Sequence, residues 1–203
     1  DGVYIPFTFD EMHFGIFAVP FYIIIFLAFT NSVNLTDGLD GLAAKVSTVY
    51  ALFFALFIAI TLYVAGSDAP HGNEYTNLLV YCGAFAGALI GFLCYNGYPA
   101  KIFMGDTGAL ALGGGLAALA IVTKLELTAP ILGIIYVATS LSVILQVVYF
   151  KLSHGKRIFL MAPLHHHFER KGIHENRISM VYGAVTFAAG VAICLIMLFV
   201  NKP

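Results

Sequence analysis

The chain has 203 residues, of which 60% are hydrophobic and 10% charged, and a formal net charge of -1. Soluble domains carry about 25% charged residues, so this balance, with a mean hydropathy of +0.90, excludes a water-soluble core and points to bilayer-spanning helices. The near-neutral charge gives no sign of a nucleic-acid binder.

In chain order, Asp1 opens an amphiphilic lead-in in which no signal peptide is visible. The chain is therefore expected to begin partway through a larger protein. Val3–Phe9 can be extended, and such backbone must lie outside the hydrocarbon. Apolar runs near the length of a spanning helix, roughly 17–25 residues, then recur six times: about His13–Thr30, Leu42–Ala65, Leu78–Tyr95, Ala109–Lys124, Ile131–Leu152 and Ile178–Val200. The expected fold class is an all-α integral membrane protein. Lys45, Lys101, Lys151, Lys156, Arg157, Arg170, Lys171 and Arg177 fall on one side of these spans, and Lys124 and Lys202 on the other. The positive-inside rule puts the richer side in the cytoplasm, with both chain ends extracytoplasmic. The cytoplasmic loops are then about Asn31–Gly41, Asn96–Gly108 and Ser153–Arg177, and the outer loops Gly66–Asn77 and Glu126–Pro130. Cys82, Cys94 and Cys194 lie in apolar stretches without metal-ligand spacing and read as buried free thiols.

Ionisable residues at the ends of apolar helices are costly and suggest function. The first loop holds Asn34, Asp37, Asp40 and Lys45. A helix beginning near Thr36 would turn Asp37 and Asp40 to one face at i, i+3, with Lys45 a turn further on. Helix capping explains one such Asp well, and two Asp plus Asn34 poorly. The second loop sets Asp106 between Gly105 and Gly108. A carboxylate on permissive backbone suits magnesium, which binds through one or two carboxylates plus substrate phosphates, although a tight turn uses the same residues. Gly113, Gly114 and Gly115 are better explained by close helix packing than by a phosphate cradle. In the third loop His165, His166 and His167 cannot share one helical face, which predicts an irregular segment. Zinc sites space their ligands, so a hydrogen-bonding rim for an anionic substrate, charged by Arg157, Arg170 and Lys171, is the more economical reading.

Three segments, Asn34–Ala43, Phe103–Gly114 and Ala162–Glu169, together with Leu141–Gln146, resemble the bacterial phospho-N-acetylmuramoyl-pentapeptide transferases of the polyprenyl-phosphate N-acetylhexosamine-1-phosphate transferase superfamily. The first two segments mark the superfamily. The His-His-His-Phe-Glu loop looks like the muramoyl-pentapeptide branch. The resemblance implies that UDP-N-acetylmuramoyl-pentapeptide and undecaprenyl phosphate react at the cytoplasmic face of the inner membrane, giving lipid I and UMP with Mg2+ as cofactor. Carried over by position, Asp106 would be the metal ligand, with Asp37 and Asp40 beside the nucleotide and diphosphate. Asn34, Asn96, Phe103, Gln146 and His166 would shape the uridine pocket, with Lys45 close by. His165 and His167 would complete the loop facing the diphosphate-sugar. The family has about ten spanning helices and an Asp-Asp pair in its first half. No such pair occurs in this sequence, so the six spans are expected to be the C-terminal part of that bundle, with the first four helices of the same protein as partners. A homodimer is also implied. The alternatives are a sister transferase using UDP-N-acetylglucosamine, a secondary transporter with intramembrane carboxylates, and an intramembrane zinc hydrolase.

Overall fold

Side chains apolar on every face can be satisfied only by lipid or by other helices, and the apolar runs fold accordingly. The computed structural model describes residues 2–7, 10–65 and 72–200. Asp1, Thr8, Phe9, Lys202 and the first half of the outer loop placed at Gly66–Asn77 lie outside them. The helices are α1 (Ala18–Thr36), α2 (Leu42–Ala65), α3 (Gly72–Asn96), α4 (Gly105–Val122), the short α5 (Ala129–Leu132), α6 (Ile134–Leu152), the short α7 (Leu164–Arg170) and α8 (Glu175–Val200). Six of these, all but α5 and α7, are long and apolar enough to cross a membrane. The chain is thus an all-α integral membrane protein.

Among the described residues the lead-in forms β1 (Gly2–Tyr4), which pairs antiparallel with β2 (Glu11–His13), Val3 opposite Met12. The first helical run therefore starts after His13, with a 3-10 turn at Gly15–Phe17.

Alternating passage puts the C-terminal ends of α1, α3 and α6 at the same end of the bundle as the N-terminal ends of α2, α4 and α8. Buried Tyr50, Phe54 and Phe57 on α2 form the centre of the core, with Tyr50 stacked on Phe54 and Tyr136 of α6 tilted against Tyr50. Gly113 lets α4 approach α1 closely, because a Cβ there would lie 2.7 Å from the Thr30 Cα and 2.9 Å from the Phe29 carbonyl oxygen. Gly115 likewise accommodates Phe85 and Tyr81 of α3. The glycine run is a packing seam. Cys82 and Cys194 are buried free thiols, whereas Cys94 is exposed on the outer face of α3.

Several helix boundaries differ from expectation, and α3 starts at Gly72, inside the outer loop expected at Gly66–Asn77. α1 runs on to Thr36 because its polar residues bond within the membrane fold. Asn31 Nδ2 donates to the Leu27 carbonyl at 2.7 Å, Thr36 Oγ1 to the Ser32 carbonyl at 2.7 Å, and Ser140 Oγ of α6 to Ser32 Oγ at 2.7 Å. α4 starts at Gly105 (φ +62°), so Asp106 occupies its first turn. The fifth run is broken at Gly133 into α5 and α6.

At the opposite end of the bundle, β1 docks on the α4–α5 connection, the Tyr4 N–H donating to the Lys124 carbonyl at 3.1 Å. Lys124 Nζ pairs with Glu11 at 2.7 Å. Glu126, in the same connection, is fully buried and neither carboxylate oxygen has a hydrogen-bond partner. Burial pushes its carboxyl up from 4.5 to about 7. Within that interval the folded protein holds a proton that the unfolded chain releases, so this contribution to stability is complete at low pH and is lost as pH rises towards 7. The thermal midpoint of the full-length protein in detergent should therefore carry a component that falls between about pH 5 and pH 8. Glu126→Gln should remove that component and raise the midpoint at the alkaline end, measured by differential scanning fluorimetry.

Candidate active site

Asp37 and Asp40 lie in the turn that joins α1 to α2 rather than on a helix. They do not share a face. Asp37 follows the last residue of α1, and its carboxyl is held above the usual range by burial and by the negative charge of Asp106. Asp40 points to the second loop, where its Oδ2 accepts the Ala100 N–H at 2.8 Å. Gly41, at φ +65° and with Asn96 O 3.3 Å from where a Cβ would sit, lets α2 begin against the end of α3. Lys45 is also elsewhere. Its Nζ donates to Ser179 Oγ of α8 at 2.9 Å, which ties α2 to α8.

Asp106 stands on the first turn of α4 beside the last turn of α1, where Asn34 Nδ2 donates to its Oδ1 at 3.1 Å. Asn34, Asp37 and Asp106 thus form one cluster, which joins the first and second loops. Phe103, just before α4, is 70% exposed, and its ring is free to stack on a ligand. Asn96 is buried and committed to its own loop, donating to the Ile102 carbonyl at 2.9 Å while its Oδ1 lacks a partner.

The three histidines are helical, not irregular. They begin α7, which is capped when the Leu164 N–H donates to Ser142 Oγ of α6 at 3.0 Å. Successive helical positions turn by about 100°, so the rings fan out to three surroundings. His165 is fully buried with both ring nitrogens unpartnered, and burial together with His166 pushes it down to about 3. The ring lies directly against Gly38, between Asp37 and Asp40, where any Cβ would collide with its Nε2. His166 Nδ1 pairs with Glu169 Oε2 at 2.8 Å, and its Nε2 is 3.1 Å from the same Cβ position. His167 turns back, its Nδ1 accepting the Leu160 N–H at 3.1 Å and its ring meeting Phe159 edge-on.

Gln146 holds the same strap from the other side. Its Oε1 accepts the Ile158 and Phe159 N–H groups at 3.1 and 2.9 Å, and its Nε2 donates to the Phe159 carbonyl at 3.2 Å. Beyond the strap lies a cavity of about 540 Å³ between α6 and α7, with Val147, Phe150, Lys151, Arg157, Met161 and Arg170 in its lining. None of those three cations has an acidic partner among the described residues. Among the described residues, no three His, Cys, Asp or Glu side chains are grouped so as to hold a metal by themselves. Asp106 with the raised Asp37 is instead a crowded carboxylate pair, the donor set that suits a magnesium ion completing its shell with phosphate oxygens.

Of the residues singled out in the sequence, the structure brings Asn34, Asp37 and Asp106 together and sets His165 and His166 against Gly38, next to Asp37. Sequence reasoning treats Asn96, Asp40, Gln146, His167 and Lys45 as ligand contacts where the structure gives each an internal partner. Gly38 and Ser142 were missed. The small residue between two Asp is the signal that could have exposed the first, and nothing in the sequence marks the second.

Residues 1–124 match the model of glycosyl transferase family 4. The chain is 50% identical over 195 residues to the phospho-N-acetylmuramoyl-pentapeptide-transferase of Clostridium kluyveri, covering 96% of this chain and 56% of the relative. The namesake protein of Clostridium novyi is 49% identical over 194 residues, 96% of this chain and 54% of the relative. That of Caldanaerobacter subterraneus subsp. tengcongensis is 49% identical over 187 residues, 92% and 55% respectively. The chain spans about half the length of these curated relatives. By the match of its first 124 residues, more than half its length, the chain belongs to glycosyl transferase family 4.

Proposed function

We propose that the full-length protein transfers phospho-N-acetylmuramoyl-pentapeptide from UDP to undecaprenyl phosphate, forming lipid I and UMP at the cytoplasmic face of the bacterial inner membrane. The observation that carries this reading is the meeting of the three loops: Asn34 bonded to Asp106, Asp37 beside Asp106, and His165 with His166 against Gly38. The printed names of the relatives, phospho-N-acetylmuramoyl-pentapeptide-transferase, support the identity of the transferred group.

The reaction is a phosphoryl transfer, in which positioning and charge neutralisation dominate. An oxygen of the lipid phosphate attacks the phosphorus that carries the sugar. The bond from that phosphorus to the bridging oxygen breaks, and the bridging oxygen leaves with UMP. The lipid phosphate is already an anion at neutral pH, so no strong base is needed. Asp106 and Asp37 would hold magnesium, which when bound supplies neutralising charge to the diphosphate and to the leaving UMP. Asn34 fixes the Asp106 carboxylate, and Phe103 offers its exposed ring to the uracil. The anionic parts of the donor extend over α7 towards Arg157, Arg170 and Lys151. An apolar cleft of about 320 Å³ between α3 and α4 ends at Met104 and Gly108, on either side of Asp106, and gives the polyprenyl tail a path out to lipid. The first four helices of the family bundle would complete the site, and the protein is expected to work as a homodimer.

The test is UMP release by full-length protein with undecaprenyl phosphate, with and without magnesium. The muramoyl-pentapeptide donor should react and UDP-N-acetylglucosamine should not. The reverse preference would move the protein to the sister branch, and no release with either would favour a transporter. Asp106→Asn should lower kcat by at least about a hundredfold while the detergent-solubilised protein elutes unchanged on size exclusion. Gly38→Ala should be nearly as damaging despite changing no polar group, because the added methyl displaces His165; an active Gly38→Ala protein would show that this contact is dispensable.

A further inference from the structure

Phe103 is 70% exposed, so its own packing does not hold it in place. Its position depends on how the loop between α3 and α4 is tied down. Within the loop, the Lys101 N–H donates to the Tyr95 carbonyl at 2.7 Å and Asn96 to the Ile102 carbonyl at 2.9 Å. Asp40 ties it to the first loop through the Ala100 N–H. A further tie runs to the third loop. The Tyr98 ring meets the His174 ring at right angles, with centroids 4.7 Å apart and an interplanar angle of 81°.

His174 is itself anchored. It immediately precedes α8, its Nδ1 accepts the Asn176 N–H at 3.2 Å, and its carbonyl accepts the Arg177 and Ile178 N–H groups at 2.9 and 3.2 Å. One residue therefore caps a membrane-spanning helix and presents a ring in fixed orientation to the loop that carries Phe103. Edge-to-face geometry is the favoured arrangement for such a pair.

We propose that Tyr98 and His174 form a latch that sets the nucleotide affinity of the site by holding the Phe103 loop against the start of α8. Both are positioning residues, and the proposal rests on Phe103 facing the uracil as proposed above. The latch acts on binding rather than on the transfer step, since neither ring belongs to the Asn34, Asp37 and Asp106 cluster.

The cap and the latch can be separated by substitution. Asn is a strong helix cap without an aromatic ring, and Phe keeps the ring without the cap. In full-length protein, titrated calorimetrically with UMP and magnesium, His174→Asn should weaken UMP binding about fivefold. It should raise KM for the UDP-sugar to match while leaving kcat within about twofold. His174→Phe should bind UMP as the wild type does and lose thermal stability instead. Tyr98→Phe should be silent, and Tyr98→Leu should reproduce His174→Asn. The double variant Tyr98→Leu/His174→Asn should be no weaker than either single one. Unchanged binding in His174→Asn, or equal weakening in His174→Phe, would overturn the latch alone. A wild-type protein that binds no UMP would overturn the reading of the site, and the latch with it.

Discussion

The close approach of α1 and α4 at Gly113 is the constraint on which the site depends. With backbone atoms of Phe29 and Thr30 filling the space of the missing side chain, the two helices run antiparallel at a separation that a Cβ would not allow. That separation brings the last turn of α1 and the first turn of α4 within hydrogen-bond reach, and Asn34 bonds Asp106 across it. Two carboxylates then stand near each other at the end of an apolar bundle, where burial and mutual repulsion keep Asp37 above its usual range. Such crowding costs stability unless a cation relieves it, so the arrangement is better suited to binding than to holding the helices together.

Other contacts build outward from this pair, and each joins one loop to another. Asp40 binds the backbone of the second loop, His165 and His166 close over Gly38, and Gln146 with His167 grips the strap at 158–160 from two sides. Because Asp40, Gln146 and His167 spend hydrogen-bonding capacity inside the protein, replacing one would release a whole segment rather than delete a single ligand contact. A polar residue in a loop can be indispensable to a site without touching what binds there.

Much of the fold was legible because lipid imposes a simple rule: long apolar runs are helices, and six were readable at nearly the right places. The ends of those helices were less legible. Asn31, Ser32, Asn34 and Thr36 read as a loop by polarity, yet all four bond to neighbouring turns or helices and so keep α1 helical. Similarly, the three histidines argue against a helix only if all must face one ligand. Once each has its own surroundings, a helix that starts at Leu164 with its N–H bonded to Ser142 can carry all three. Residue identity pointed to the right region, but which side chains face outward depended on tertiary partners that local sequence does not encode.

The electrostatics of the histidine segment follow from the same placement. A cationic role for all three would suit an anionic substrate, but His165 is buried and pushed down to about 3, so it is neutral near pH 7. Its place beside Gly38 makes it a wedge that sets the spacing between α7 and the first loop. Positive charge is supplied instead by Arg157, Arg170 and Lys151, which line a cavity on the far side of the strap and have no acidic partners among the described residues. Arg157 also lies over the Phe150 ring at 6.0 Å, a contact that steadies a guanidinium without neutralising it. Shape next to the carboxylates and charge across the strap are thus divided between different residues. That division lets uncompensated cations stay near solvent while His165 stays buried and neutral against Gly38.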